Sequence, residues 1–297
     1  MRRLLELAIA ILAGVGILSA VLAENALHVP HGPHADPLTA RYLAKATHSS
    51  WEPAEVTAKD GAVLRGWLFH PTRPNHGAVL VLHGVGDSRE GMSAQAQFLL
   101  DAGYTVLLPD SRGHGESGGS IISYGILEAR DVRLWNDWLL ARTPDARLFG
   151  LGASMGASVL LESLAIEHRF RAVVADCPFA TFHEIALDRV HQHTGLPEFA
   201  LEPMVGLGFV YADIRYGLDL RRASPEDAIR ATRVPVLLIH GTADSNIPIR
   251  HSREIHALNP ATRLWEVPGA THVASFAAEP GAYRQHVLDW FAQASPP

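Results

Sequence analysis

Ser154 sits in Gly152-Ala153-Ser154-Met155-Gly156, a Gly-x-Ser-x-Gly stretch. Residues 146–149 before it read as a short buried strand, and residues 158–166 after it read as a helix. A serine on so sharp a strand-to-helix turn holds its hydroxyl above a sheet, where it can attack an acyl carbon. The glycines belong there because a side chain would collide with the neighbouring strand and helix. The pattern alone arises by chance in roughly one chain in ten of this length. Its meaning therefore depends on what the rest of the chain supplies.

A serine nucleophile needs a base, an orienting acid and donors for the developing oxyanion. His272 closes Val267-Pro268-Gly269-Ala270-Thr271-His272, just past a late strand, where a histidine can act as general base. Asp244 follows the strand at 236–239, where a carboxylate can orient that histidine, and Pro248 tightens the loop after it. Asp176 also lies just past a strand and is the competing acid. His83-Gly84-Val85-Gly86 ends an earlier strand. The Val85 and Met155 N–H groups are the expected oxyanion pair. His114, in a glycine-dense loop at 110–117, reads as a structural residue beside the serine turn and not as the base.

Regular elements must carry these residues. Segments 55–58 and 62–69 read as a β-hairpin, and 78–82 as a strand buried on both faces. Further strands fall at 104–108, 172–175, 236–239 and 263–267, alternating with helices at 91–102, 126–141 and 281–292. Such alternation predicts an α/β fold with a doubly wound, mostly parallel sheet. Ligands in such sheets sit beyond the carboxyl ends of the strands, where the polar residues above fall. The chain has 297 residues, 47% of them hydrophobic, and a net charge of −6. That fits one large domain with an appendage and gives no reason to expect nucleic acid. A single cysteine, Cys177, excludes an internal disulfide and a cysteine-built zinc site.

The appendage is N-terminal. Arg2 and Arg3 precede an apolar run over 4–23, which reads as a signal peptide or membrane anchor over 1–23. Twenty helical residues reach ~30 Å, enough to cross a bilayer. The positive-inside rule places the domain outside the cytoplasm, either anchored or, if cleaved after Ala23, secreted or periplasmic. Residues 24–50 read as a solvated, Pro-rich linker. Its histidines His28, His31 and His34 lack a carboxylate or cysteine companion for a metal.

The hydrolytic unit is expected over 51–293, with an insertion at about 180–233. Helices are expected there at 181–190, 203–211 and 222–231. Met204, Phe209 and Tyr211 belong to an apolar set that would contact substrate as a lid. Gly206 and Gly208 should loosen that helix.

From about Trp51 to Ala292 the sequence resembles the α/β-hydrolase superfamily, and within it the membrane-anchored Bem46-like and ABHD13-like serine hydrolases. The motifs that carry the likeness are HGVG, DSRGHGESGG, GLGASMGAS, SPEDAIRATRVPVLLIHGTAD and PGATH, five pieces in register. The order Ser154, Asp244, His272 is that of this fold. The resemblance implies an acyl hydrolase with Ser154 as nucleophile, Asp244 as acid, His272 as base and no cofactor or metal. The substrate is then expected to be a small or lipid-like acyl ester. Two rivals remain: a serine peptidase or amidase on the same residues, and a membrane-tethered scaffold without catalysis. Neither substrate identity nor oligomeric state follows from the sequence.

Overall fold

The computed structural model describes residues 1–294. Among these residues one sheet of eight strands forms the centre, in the order β1-β2-β4-β3-β5-β6-β7-β8. The strands are β1 (Ser50–Thr57), β2 (Val63–His70), β3 (Gly77–Leu82), β4 (Thr105–Pro109), β5 (Arg147–Ala153), β6 (Phe170–Asp176), β7 (Val236–Gly241) and β8 (Thr262–Val267). β1 and β2 form the expected hairpin, and β2 pairs antiparallel with β4. All other pairs are parallel. Every residue of β3, β4 and β7 is buried, because helices cover both faces.

The helices are α1 (Arg2–Leu27), α2 (Pro37–Ala46), α3 (Ser93–Asp101), α4 (Glu128–Arg142), α5 (Met155–Ser163), α6 (Phe182–Thr194), α7 (Glu198–Tyr216), α8 (Pro225–Ala231), α9 (Arg250–Leu258), α10 (Ser275–Ala278) and α11 (Pro280–Gln293). One apolar core gathers Phe98, Phe149, Tyr283 and Phe291 on one face of the sheet. A second gathers Leu80, Trp135, Leu160 and Ile229 on the other. A third lies away from the sheet, where Leu27 joins Phe182, Met204, Val205 and Phe209 of the insertion.

Two expectations change. Residues 24–50 are not a solvated spacer. Leu27 is fully buried, and α2 buries Ala40, Leu43 and Ala44 beneath a cap in which Asp36 Oδ1 accepts the Leu38 N–H. Pro37 stands in the first turn of α2, where its missing N–H costs nothing. Backbone bonds pin the rest: Gly115 N donates to His31 O at 2.6 Å and Ile122 N to Leu27 O at 2.9 Å. Nor do Gly206 and Gly208 break α7, which runs 19 residues despite Pro203. At Gly208 the backbone of α1 comes so close that a Cβ would stand 3.2 Å from Ser19 O.

α1 is long and apolar enough to cross a membrane, with a mean hydropathy of 2.4 over its most apolar window. Leu4, Leu5, Leu7, Ile9 and Leu12 are exposed, whereas Ser19, Ala23 and Leu27 are buried against the body.

Candidate active site

The parallel register brings the candidate residues together. Leu82 of β3 lies beside Gly152 of β5, Ala153 beside Asp176 of β6, Asp176 beside Ile239 of β7, and Gly241 beside Val267 of β8. The loops bearing Val85, Ser154, Asp244 and His272 therefore leave one edge of the sheet.

Ser154 has φ 54° and ψ −121°, a conformation that costs a non-glycine residue about 1–3 kcal/mol. Close packing imposes it. A Cβ on Gly152 would stand 2.4 Å from Gly156 O, and one on Gly156 2.5 Å from His83 O. Only glycines let the strand and helix approach this closely. The Ser154 N–H donates to Asp176 O at 2.8 Å, and this bond ties the turn to β6.

Ser154 Oγ lies 2.8 Å from His272 Nε2, and His272 Nδ1 lies 2.7 Å from Asp244 Oδ2. The other Asp244 oxygen accepts from the N–H groups of Asn246 at 2.8 Å and Ile247 at 2.9 Å. Burial opposes charge on Asp244. Hydrogen bonds from His240 and His272, with the Ile247 N–H, outweigh it and hold the carboxyl well below its usual range. Asp176 differs. Burial pushes its carboxyl up to about 6, and its Oδ1 receives the Cys177 thiol at 3.2 Å. The structure thus puts Asp244, and not Asp176, against His272. This arrangement can pass a serine proton to an imidazole held in one tautomer.

Val85 and Met155 both line the cavity above Ser154, and among the described residues neither backbone N–H has a hydrogen-bond acceptor. Met155 is the first residue of α5, so its N–H also carries the positive end of the helix dipole. His83 braces this loop. Its Nδ1 meets Gly84 O at 2.7 Å and its Nε2 accepts the Ser111 N–H at 3.0 Å. Burial, with the neighbouring His114, pushes its pKa down to about 4, so it is neutral near pH 7. His114 is also fully buried, with Nδ1 2.9 Å from Arg112 O, and among the described residues its ring hydrogen-bonds to neither Ser154 nor His272.

A cavity of about 280 Å³ opens over Ser154. That is near the lower end for ligand pockets, roughly 300–1,000 Å³. Phe179, Phe182, Ile185, Met204, Phe209 and Ile247 make it apolar, and Arg189 is its one charged lining residue among the described residues. Met204 and Phe209 thus lie where the lid was expected to meet substrate. Tyr211 does not. It faces α1, and its hydroxyl donates to Glu24 Oε1 at 2.6 Å. Among the lining residues that sequence reasoning did not mark, Ser19, Leu22, Ala23 and Ala26 all come from α1. Their apolar run signalled a membrane segment, and nothing local marked a pocket.

Cys177, His240 and Asp244 come close enough together to suggest metal ligation, but their donor atoms are engaged. His240 contacts Ser252 Oγ at 2.7 Å and Ile247 O at 2.8 Å, and Asp244 holds His272. Burial also raises the Cys177 thiol, which keeps it protonated.

The sequence profile described as "alpha/beta hydrolase fold" matches residues 77–204. The uncharacterized protein Rv2307c of Mycobacterium tuberculosis is 30% identical over 73% of this chain and 70% of its own length. The chain belongs to the α/β-hydrolase superfamily. The uncharacterized protein YqkD of Bacillus subtilis is 29% identical to this hydrolase, over 81% of each chain. Among solved structures, the Pyrococcus furiosus esterase Pf2001 is similar to the hydrolase with a TM-score of 0.68 and 25% identity. That match covers 84% of this chain and 95% of the esterase.

Proposed function

We propose that this hydrolase cleaves acyl esters through an acyl-enzyme on Ser154. The contact chain Ser154–His272–Asp244, at the floor of an apolar cavity, carries the reading. In this scheme Ser154 Oγ attacks the acyl carbon as His272 Nε2 takes its proton. Asp244 stabilises the imidazolium, and the Val85 and Met155 N–H groups hold the oxyanion. His272 returns the proton to the departing alcohol. Water, activated by the same histidine, then releases the acid and regenerates the serine. The low pKa direction of Asp244 supports it as the acid.

The apolar lining of the cavity favours acyl chains over acetate. Each buried CH₂ contributes about 0.8 kcal/mol, so three or four give a preference of roughly sixty- to two-hundredfold when the transition state keeps those contacts. The apolar α1 with Arg2 and Arg3 at its start supports a membrane-anchored enzyme whose domain lies outside the cytoplasm. That location agrees with a place in the Bem46-like and ABHD13-like group.

The test is labelling by a fluorophosphonate together with turnover of p-nitrophenyl esters and peptide anilides. The reading expects labelling at Ser154 and ester turnover that rises from acetyl to octanoyl. Anilide cleavage above ester cleavage would move the activity to amides, and an unlabelled, inactive chain would leave the scaffold reading.

A further inference from the structure

We propose that the last turns of α1 are a permanent wall of the acyl cavity, so the working enzyme keeps its N-terminal helix and takes its acyl chains from the bilayer. This rests on the reading of Ser154 as the nucleophile.

The wall is seen directly. Ser19, Leu22, Ala23 and Ala26 line the same cavity as Ser154, Val85 and Met155. It is also held in place. Glu24 Oε1 accepts the hydroxyls of Tyr211 at 2.6 Å and Tyr216 at 2.7 Å, both from α7. Ala26 O accepts the hydroxyl of Tyr124 at 2.7 Å, and Tyr124 itself lines the cavity. Leu27 is buried within the apolar cluster of the insertion. At Gly208 the backbones of α1 and α7 come together, since a Cβ there would meet Ser19 O at 3.2 Å. The bonds of Glu24, Ala26 and Leu27 would survive a cut after Ala23, but the close approach of Ser19 and Ala23 to Gly208 would be lost with the removed segment. Removal would take three of the four wall residues.

The occupant of the outer surface follows from the same helix. Leu18 and Val21 of α1 are exposed, as are Leu207, Val210 and Ile214 of α7, which recur at helical spacing along one face. Leu4, Leu5, Leu7, Ile9 and Leu12 of the same helix are exposed as well. One helix is therefore both an apolar rod long enough for a bilayer and a wall of the cavity. The unpartnered faces of α1 and α7 are wetted by lipid, and an acyl chain leaving the bilayer meets the cavity along α1. The substrate class is an acyl ester resident in a membrane.

The test uses the full chain in phosphatidylcholine vesicles with p-nitrophenyl octanoate and acetate. Leu22→Trp, which fills the wall, should lower the octanoyl-to-acetyl ratio of kcat/KM by about tenfold. Ala23→Leu, measured in parallel, probes the same wall with a smaller change. Leu18→Trp makes an equal change on the outward face and should leave the ratio as it is. An unchanged ratio in both wall variants, or an equal fall in Leu18→Trp, overturns the wall. The intact mass of membrane-extracted protein should include residues 1–23. A chain beginning at Glu24 with the same octanoyl preference overturns the proposal too. Failure of the wild-type chain to label with fluorophosphonate strikes instead at the nucleophile reading beneath it.

Discussion

The floor of the cavity is held by polar contacts of 2.7–2.8 Å among side chains from the ends of β5, β7 and β8, and by a backbone strained at Ser154. Its roof is Phe182, Ile185, Met204, Phe209 and the last turns of α1, held by apolar packing with the Tyr124 hydroxyl donating to Ala26 O of α1. The roof's hydrogen bonds from Tyr211 and Tyr216 to Glu24 come from residues that do not line the cavity. Hydrogen bonds have direction and fail steeply with misplacement, so the floor tolerates little change. Apolar contacts are non-directional and scale with area, so the roof can change in shape and still enclose a chain. The floor suits chemistry, and the roof suits choice among substrates.

Removing the proposed nucleophile should separate the two most sharply. Ser154→Ala should lower ester turnover by roughly 10⁶, the scale seen when such a serine is lost. Octanoyl ester should still bind, as a dissociation constant measured by calorimetry would show. Asp244→Asn should cost about 10⁴ in kcat, whereas Asp176→Asn should cost far less. The reverse order in steady-state kinetics would move the acid to Asp176.

Glycine substitutions compare the same regions through stability. Gly152→Ala drives a Cβ into backbone at 2.4 Å and should destabilise by about 3 kcal/mol or more, read from denaturant unfolding. Gly206→Ala, on α7, meets nothing within 4 Å and should stabilise by about 1 kcal/mol. In the roof, Phe209→Ala should reduce the octanoyl-to-acetyl ratio by roughly tenfold while Ser154 labelling persists.

The last comparison concerns pH. His83 has a pKa near 4 in the folded protein against 6.5 unfolded. The unfolded chain binds the proton first, so this contribution is whole above pH 6.5 and shrinks as pH falls toward 4. Asp176, raised to about 6, and Glu162, raised by burial to about 8, act in the opposite sense. Comparing Tm for wild type and His83→Asn across pH 4 to 7 isolates His83. The gap between the two should narrow on acidification, and a constant gap would remove His83 from the linkage.

The sequence by itself determined the floor. Alternating apolar strands and helices dictate the parallel sheet, and a residue just past a strand end must emerge at its carboxyl edge. Ser154, His272 and Asp244 could therefore be read locally, as could Val85 and Met155, because each lies within a few residues of a strand. The choice between Asp244 and Asp176 was only leaned upon in sequence, since both satisfy that rule. The 2.7 Å contact with His272 distinguishes them. The roof was decided only by tertiary structure. An apolar helix looks the same in sequence whether it crosses a bilayer, covers a core or walls a cavity, because hydrophobicity carries no address. Tyr211 turned from the cavity toward Glu24, 187 residues away, and the supposed spacer folded against the sheet's loops. Such contacts join distant segments through unpatterned surfaces, so they become legible only when the whole chain has packed.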